Sequence, residues 1–350
     1  MEPDMKNIFS ARALAASALL FASTATFFTP ASTANAAELP ERTFCVFDLL
    51  GKAGPIGAFM EDYRLEATKW GINLKIKTFT DEKIVTEEFK ARTCDGAAIS
   101  GLRGRSLNPF TGTIDSLGAL PRYDQLHAAL AKLATPAVAP LMINGSYEVV
   151  GILPAGGAHL MSSDRDINTA AKVAGKRIAA MDFDKAQAAM AEYFGGSPIT
   201  ANMSNVGSLF NNGAVDIIGA PLLAIQPLEL YKGLGEKGGI ADFAIVQLTG
   251  QLYVHHDRFP EAYGQKSREY VFSQYDRALA DIQRHANDVD PKYWVKIPEN
   301  DLKDYLELYR KVRISLREQG IYNGKMLSFL SRVRCSLEPF LTECTAADRE

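Results

Sequence analysis

Several chemistries are missing from this chain, and their absence narrows what it does. The five histidines, His127, His159, His255, His256 and His285, form no H-E-x-x-H or other metal-ligand spacing. His255 and His256 are adjacent, so on a strand their rings point to opposite faces and do not share one site. No G-x-S-x-G nucleophile elbow occurs, and no pair of carboxylates has a defined task. Catalysis therefore has no positive support, and no cofactor or metal is expected. There is no basic stripe with interleaved aromatics, and 38 Lys+Arg against 41 Asp+Glu leave a formal net charge of -3, which argues against a nucleic-acid partner. Past the N-terminal region no run is long and apolar enough to span a bilayer. Cysteine is scarce, and Cys45, Cys94, Cys335 and Cys344 have no metal-site company.

What is present is ordinary for a globular protein of one or two domains: 350 residues, 47% hydrophobic and 23% charged. Lys6 and Arg12 precede an apolar run over 13–21, and small residues lead to Ala34-Asn35-Ala36. That is the pattern of a secretory signal peptide over 1–36, with cleavage expected before Ala37. An exported chain with an even cysteine count points to disulfides, with three connectivities open. The favoured one is Cys45–Cys94 with Cys335–Cys344. Cys45 lies in the first predicted strand and Cys94 directly before the third, and these would be neighbours in a sheet of order 2-1-3.

Apolar periodicity divides the rest. Residues 43–50 read as a strand, 58–70 as an amphipathic helix, 72–79 as a strand with one wet face, 80–91 as a helix and 95–100 as a third strand. The loop 101–108 follows, then a helix over 124–133 and a strand over 147–153. Pro154 to Gly157 reads as a break, with extended chain resuming at 159–162. A second set of βα units follows in 172–221, with strands at 178–181, near Ile199 and at 215–218. Residues 222–231 read as helix and 241–248 as strand, with 251–255 leading out. From Glu261 the chain is mostly helical, over 263–285, 299–319 and 325–337, with a frayed tail from Thr345. The layout is α/β, two-lobed, with hinge strands and a helical C-terminal region. Lobe 1 takes 37–154, lobe 2 takes 155–251, and 252–350 returns to lobe 1. Such a protein closes on a ligand between its lobes.

Candidate ligand contacts lie at strand ends, where α/β sheets build clefts. Gly51 to Gly57 follows a strand and opens a helix, so its N–H groups suit an anion or simply make a tight turn. Lys52 sits in that turn. Arg103 and Arg105 present planar forks suited to a carboxylate, or to surface ion pairs. Asp48, Asp182 and Asp184 end strands, and an N-cap role is favoured for one of the last two. Phe183 and Pro221 complete the set of cleft residues. Gly233 to Gly238 matches G-x-G-x-x-G letter for letter, but it follows a helix and precedes a strand, the reverse of a dinucleotide site.

Several motifs, in order, resemble the solute-binding proteins of tripartite ATP-independent periplasmic (TRAP) transporters, the DctP-like class. Gly157 to Ser163 with Asp166-Ile167 is similar to the family's "G-x-R-x-L-x-S-x-x-P-I", with His159 where the family has Arg. Val173 to Ala179 resembles "L-K-G-L-K-I-R", Phe194 to Ile199 resembles "L-G-A-x-P-V", and Asn205 to Asp216 falls on "E-V-Y-x-A-L-Q-x-G-V-V-D" without a gap. The resemblance implies a periplasmic protein that captures a small solute, anionic or zwitterionic, for the permease subunits of a membrane transporter. It also exposes departures. The family's ligand-binding Arg falls at Ala179, and its "E-N-P" Asn falls at Ala220. A charge from Arg103 or Arg105 on the other lobe is the expected replacement. The alternative is an envelope accessory or interaction protein that kept the fold and lost the ligand site.

Overall fold

The computed structural model describes residues 38–347 and Glu350. The expected signal peptide lies outside the described residues. Strand β1 (Glu41–Phe47) pairs in parallel with β2 (Asn73–Phe79) on one side and β3 (Gly96–Ser100) on the other. Alternation along β1 places Phe44 and Val46 on one face and Cys45 on the other. The first face packs on helix Pro55–Lys69 through Met60, Tyr63 and Ala67. The second packs on helix Glu82–Lys90 through Val85 and Phe89. Asp81 caps that second helix by accepting from the Lys83 N–H at 2.8 Å. The segment expected to be a loop after β3 instead begins with a helical turn, Gly101–Gly104, capped by Ser100. A side-chain acceptor at the strand's last residue satisfies a free N–H and so starts the turn.

A short strand, β4 (Ile143–Asn144), folds back on β5 (Tyr147–Ser162). In the second lobe β6 (Arg177–Met181) lies between β7 (Ser197–Ala201) and β8 (Ile217–Pro221), all parallel. Helix Lys185–Tyr193 follows β6 directly. Strand β9 (Gly239–His255) runs antiparallel to β5 along most of their lengths, and β10 (Trp294–Val295) adds to its first residues. One sheet of order β2-β1-β3-β9-β5-β8-β6-β7 results. Its middle is the pair β9–β5. The C-terminal half of β9 pairs with β3 in lobe 1, and the C-terminal half of β5 pairs with β8 in lobe 2. The hinge is therefore two long strands that belong to both lobes.

Four elements differ from the sequence expectation. Strand β5 is continuous through Pro154 to Gly157 rather than broken there, and β9 is one strand rather than two pieces. Register shifts between Val149 and Gly151, Pro154 and Gly156, and again at 158–161 absorb the residues that do not fit a regular ladder. Gly156 takes φ +97° at one of them, a conformation that disfavours any side chain. The expected helix over 222–231 shrinks to a 3-10 turn, Leu222–Ala224, and a short helix, Tyr231–Leu234. Pro227 lacks the N–H that a continuous helix needs. The long helix expected over 263–285 is two, Tyr263–Ser273 and Tyr275–Asn287, with Gln274 ending one and starting the next.

The C-terminal helices fasten the lobes. Helix Gly324–Leu337 returns to lobe 1 and packs Met326, Leu330 and Val333 against Leu126 and Leu130. Helix Glu299–Glu318 lies along the cleft instead. Its Tyr305, Tyr309, Val312 and Leu316 share a cluster with Leu117 from lobe 1 and Ala186 from lobe 2. Both expected disulfides are present, Cys45–Cys94 with Cα atoms 5.9 Å apart and Cys335–Cys344 with Cα atoms 5.6 Å apart. The tail is not frayed at its last residue. The Glu350 carboxylate is buried between Arg313 and Arg334.

Candidate functional site

The residues expected at the cleft divide into groups with different roles. Arg105, past the end of β3, reaches across to Asp184, past the end of β6, with Nη1 donating to Oδ1 at 2.7 Å. The same guanidinium donates to the backbone oxygens of Gly112 and Asp115. Burial by itself lowers the Arg105 pKa, but Asp184, Tyr322 and Asp115 outweigh that and the net shift is upward. Asp184 has a second task, since Oδ1 also accepts from the Ala186 N–H at 3.0 Å and caps helix Lys185–Tyr193. Beside this pair, the Arg103 guanidinium lies 3.7 Å from the centre of the Phe183 ring, a cation–π contact between lobes. Its Nε donates to Glu82 at 3.2 Å. Two charged contacts thus tie the lobes together, and both use a residue from each.

Asp48, Lys52 and Pro221 are elsewhere. Asp48 is 2% exposed and spends its carboxylate on backbone N–H groups of Leu50, Ile56 and Gly57 at 2.9–3.1 Å. It organises the turn that starts helix Pro55–Lys69. Gly54 is required there, because a Cβ would sit 1.9 Å from the Asp48 Oδ1. Replacing Asp48 by Ala is expected to lower stability by about 1–3 kcal/mol, read by chemical denaturation. Lys52 is exposed on the same turn. Pro221 lines a separate cavity of about 130 Å³ with His159, Tyr123 and Trp294. His159 bonds through Nδ1 to the Ala241 oxygen at 2.8 Å, and its burial lowers its pKa.

Asp184 also lines a cavity of about 110 Å³ formed from both lobes and from helix Glu299–Glu318. Lobe 1 contributes Leu102, Asp115 and Leu117, and lobe 2 contributes Ala179, Asp184 and Met190. Tyr305, Tyr309, Tyr322 and Phe194 form the aromatic part of its wall. On the hinge, Ala158 and Leu160 face this cavity while His159 faces the other, as alternation along β5 requires. Ala220, Met181 and Leu222 form an apolar cluster that also takes in Ala179 and, from lobe 1, Leu49. Both positions where the resembling family carries polar ligand contacts are thus apolar and packed.

Asp115 is the least expected member. It is 1% exposed and accepts from the Thr249 N–H at 3.0 Å and from Thr249 Oγ1 at 2.6 Å. Burial pushes its pKa up to about 7, against the opposing pull of Thr249 and Arg105. The folded chain thus holds this proton more tightly than the unfolded chain, where an Asp titrates near about 3.9. Stability should fall as pH rises from about 4 to about 7 on this account and level off above. Asp115→Asn is expected to remove that part of the slope, checked by comparing denaturation midpoints of the two proteins across that range. Asp115 carries no strand-end or periodic signal in the sequence. Tyr305 and Tyr309, spaced i,i+4, read as ordinary core.

A two-lobed sheet joined by two shared strands, closed over a cavity, defines the class: this is the fold of the TRAP periplasmic solute-binding proteins. A TRAP solute-binding protein from Desulfovibrio salexigens solved with bound orotic acid matches with a TM-score of 0.70 at 16% identity, covering 85% of this chain and 99% of that one. The ectoine-binding protein of the TeaABC TRAP transporter of Halomonas elongata matches with a TM-score of 0.66 at 14% identity, covering 85% and 99%. The family described as Solute-binding protein AdeT 1/2 matches residues 65–349. Probable solute-binding protein AdeT1 of Acinetobacter baumannii is 42% identical over 303 residues, 87% of this chain and all of that protein. The chain belongs to the Solute-binding protein AdeT 1/2 family. That family is one of solute-binding proteins rather than enzymes. Among the described residues no helix is long and apolar enough to cross a membrane.

Proposed function

We propose that this protein captures a small anionic or zwitterionic solute in the periplasm, in the cavity between its lobes, and hands it to the permease subunits of a membrane transporter. The observation that carries the reading is the cavity itself, lined by both lobes, with Asp184 in its wall and paired to Arg105 across the lobes. A site of that kind exists only when the lobes are closed, so solute binding and closure are one event. Arg105 supplies the positive charge that the family places at the position of Ala179, and Asp184 and Asp115 supply the complementary sign. A zwitterion fits that pairing better than a simple anion, because the Arg105 guanidinium is paired with a carboxylate that lines the cavity. Arg103 and Phe183 hold the lobes in register beside it. The neighbours solved with orotic acid and with ectoine as their named ligands are consistent with solutes of this size and charge.

The test is a thermal-shift screen of the mature chain against small carboxylates and zwitterions, because a ligand of the folded state raises apparent stability. At least one solute should raise Tm, and Arg105→Ala should weaken its calorimetric affinity by more than about 10-fold, or 1.4 kcal/mol. Unchanged affinity in Arg105→Ala would show that this guanidinium does not hold the solute.

A further inference from the structure

We propose that the inner end of the solute is an ammonium group on an apolar body, received by Asp115 and Asp184 against the tyrosine wall. The inference rests on the reading that the cavity between the lobes is the solute site, and it names the chemistry of the end that enters deepest.

Charge in the cavity wall comes first. Its lining includes the carboxylates of Asp115 and Asp184 and no Lys, Arg or His side chain. Arg105 is not among the lining residues. It binds the Asp115 backbone oxygen with one arm and Asp184 Oδ1 with another, so it bridges the two acidic residues. Asp184 Oδ2 makes no hydrogen bond among the described residues. A carboxylate has about four acceptor sites, and the Thr249 contacts use only two of those on Asp115. Acceptor capacity is therefore concentrated in the wall, and the guanidinium is not part of it.

The tyrosines point the same way. Tyr305 and Tyr309 are 7% and 3% exposed, both line the cavity, and neither hydroxyl has a hydrogen-bond partner among the described residues. Each hydroxyl is therefore free to pair with a ligand. The ring faces attract a cation and repel an anion. Apart from Gln187, Phe194 and Gly219, the rest of the wall is aliphatic, including Leu160, Met190 and Ile245, which suits a hydrocarbon body. A solute with a single carboxylate pointing inward would meet the Asp115 and Asp184 side chains with no Lys, Arg or His in the wall itself, and Arg105 is already paired with Asp184.

The experiment uses three matched probes: phenylalanine, phenethylamine, which lacks the carboxylate, and 3-phenylpropionate, which lacks the amine. Calorimetry on the mature chain should show both amines binding, with 3-phenylpropionate at least about 10-fold weaker than phenylalanine. Asp115→Asn should weaken both amines by about 10-fold or more. Tyr309→Phe should weaken them several-fold with Tm unchanged, and this keeps the test open should Asp115→Asn fold poorly. The proposal is overturned if 3-phenylpropionate binds as well as phenethylamine, if neither amine binds, or if both variants leave amine affinity unchanged. Met190→Trp fills the cavity and separates the two readings. If amine binding survives Met190→Trp, the cavity is not the site. If Met190→Trp abolishes binding and the carboxylate still binds best, only the ammonium assignment fails.

Discussion

Asp184→Asn is expected to open the lobes and weaken solute binding by roughly 100-fold. The substitution keeps the side-chain oxygen that caps helix Lys185–Tyr193 and removes the charge that Arg105 faces. Both partners are nearly buried, with 11% and 2% of their side-chain surface exposed. Leaving one member of such a pair without its counter-ion costs about 3–5 kcal/mol. Most of that cost need not unfold the chain, because Arg105 regains water simply by the lobes parting. The lower end, about 3 kcal/mol, reduces the closed population about 100-fold, and apparent affinity falls with it. The expected signature is a larger radius of gyration in X-ray scattering and a weaker calorimetric Kd, with Tm little changed. A fall in Tm without a change in size would mean that the pair stabilises the fold rather than the closed arrangement.

Arg313→Ala is expected to destabilise the folded chain itself, by about 3–5 kcal/mol. Arg313 is 2% exposed, donates to the Leu117 oxygen at 2.7 Å and through Nε to Glu350 at 2.8 Å. Its pKa is lowered by burial and by the neighbouring Arg334, against the pull of Glu350 and Glu343. Arg334 completes the group, donating to Glu343 at 2.6 Å, to Glu350 at 3.0 Å and to the Ala119 oxygen at 2.6 Å. Two guanidiniums and two carboxylates thus neutralise one another out of water. Removing Arg313 leaves Glu350 with half its partners and empties the space of a long side chain beside helix Glu299–Glu318. Here the lobes cannot part to relieve the cost, because the helix and the tail belong to one packed region. Urea denaturation should show the loss as a lower midpoint with an unchanged slope.

The contrast between these two networks shows what a sequence can and cannot convey. The βα units were readable because their information is local. Alternation in β1 and β2, the Asp81 cap and the spacing of Tyr63 and Ala67 each specify one element. The pairing of Cys45 with Cys94 followed from strand order. The hinge strands were harder, since Pro154 and Gly156 signal a break, and only the partner strand shows that bulges carry the ladder past them. At the site, residue types were informative but assignments were not. Asp48 and Asp184 look alike in sequence, each ending a strand before a helix. One of them serves only its own turn, while the other caps a helix and also holds Arg105. Tyr305, Tyr309 and Asp115 gave no signal, because a cavity wall formed by three distant segments has no local pattern. Ala179 was legible as a departure, and the structure supplies its setting: an apolar cluster with Leu49 and Met181.

Titration of wild-type and Met190→Trp proteins with a solute that raises the wild-type Tm tests the central claim most directly, because Met190 lines the cavity and takes no part in the ion pairs between the lobes. The larger side chain should abolish binding while Tm without solute stays close to that of the wild type. Binding of unchanged affinity in Met190→Trp would contradict it.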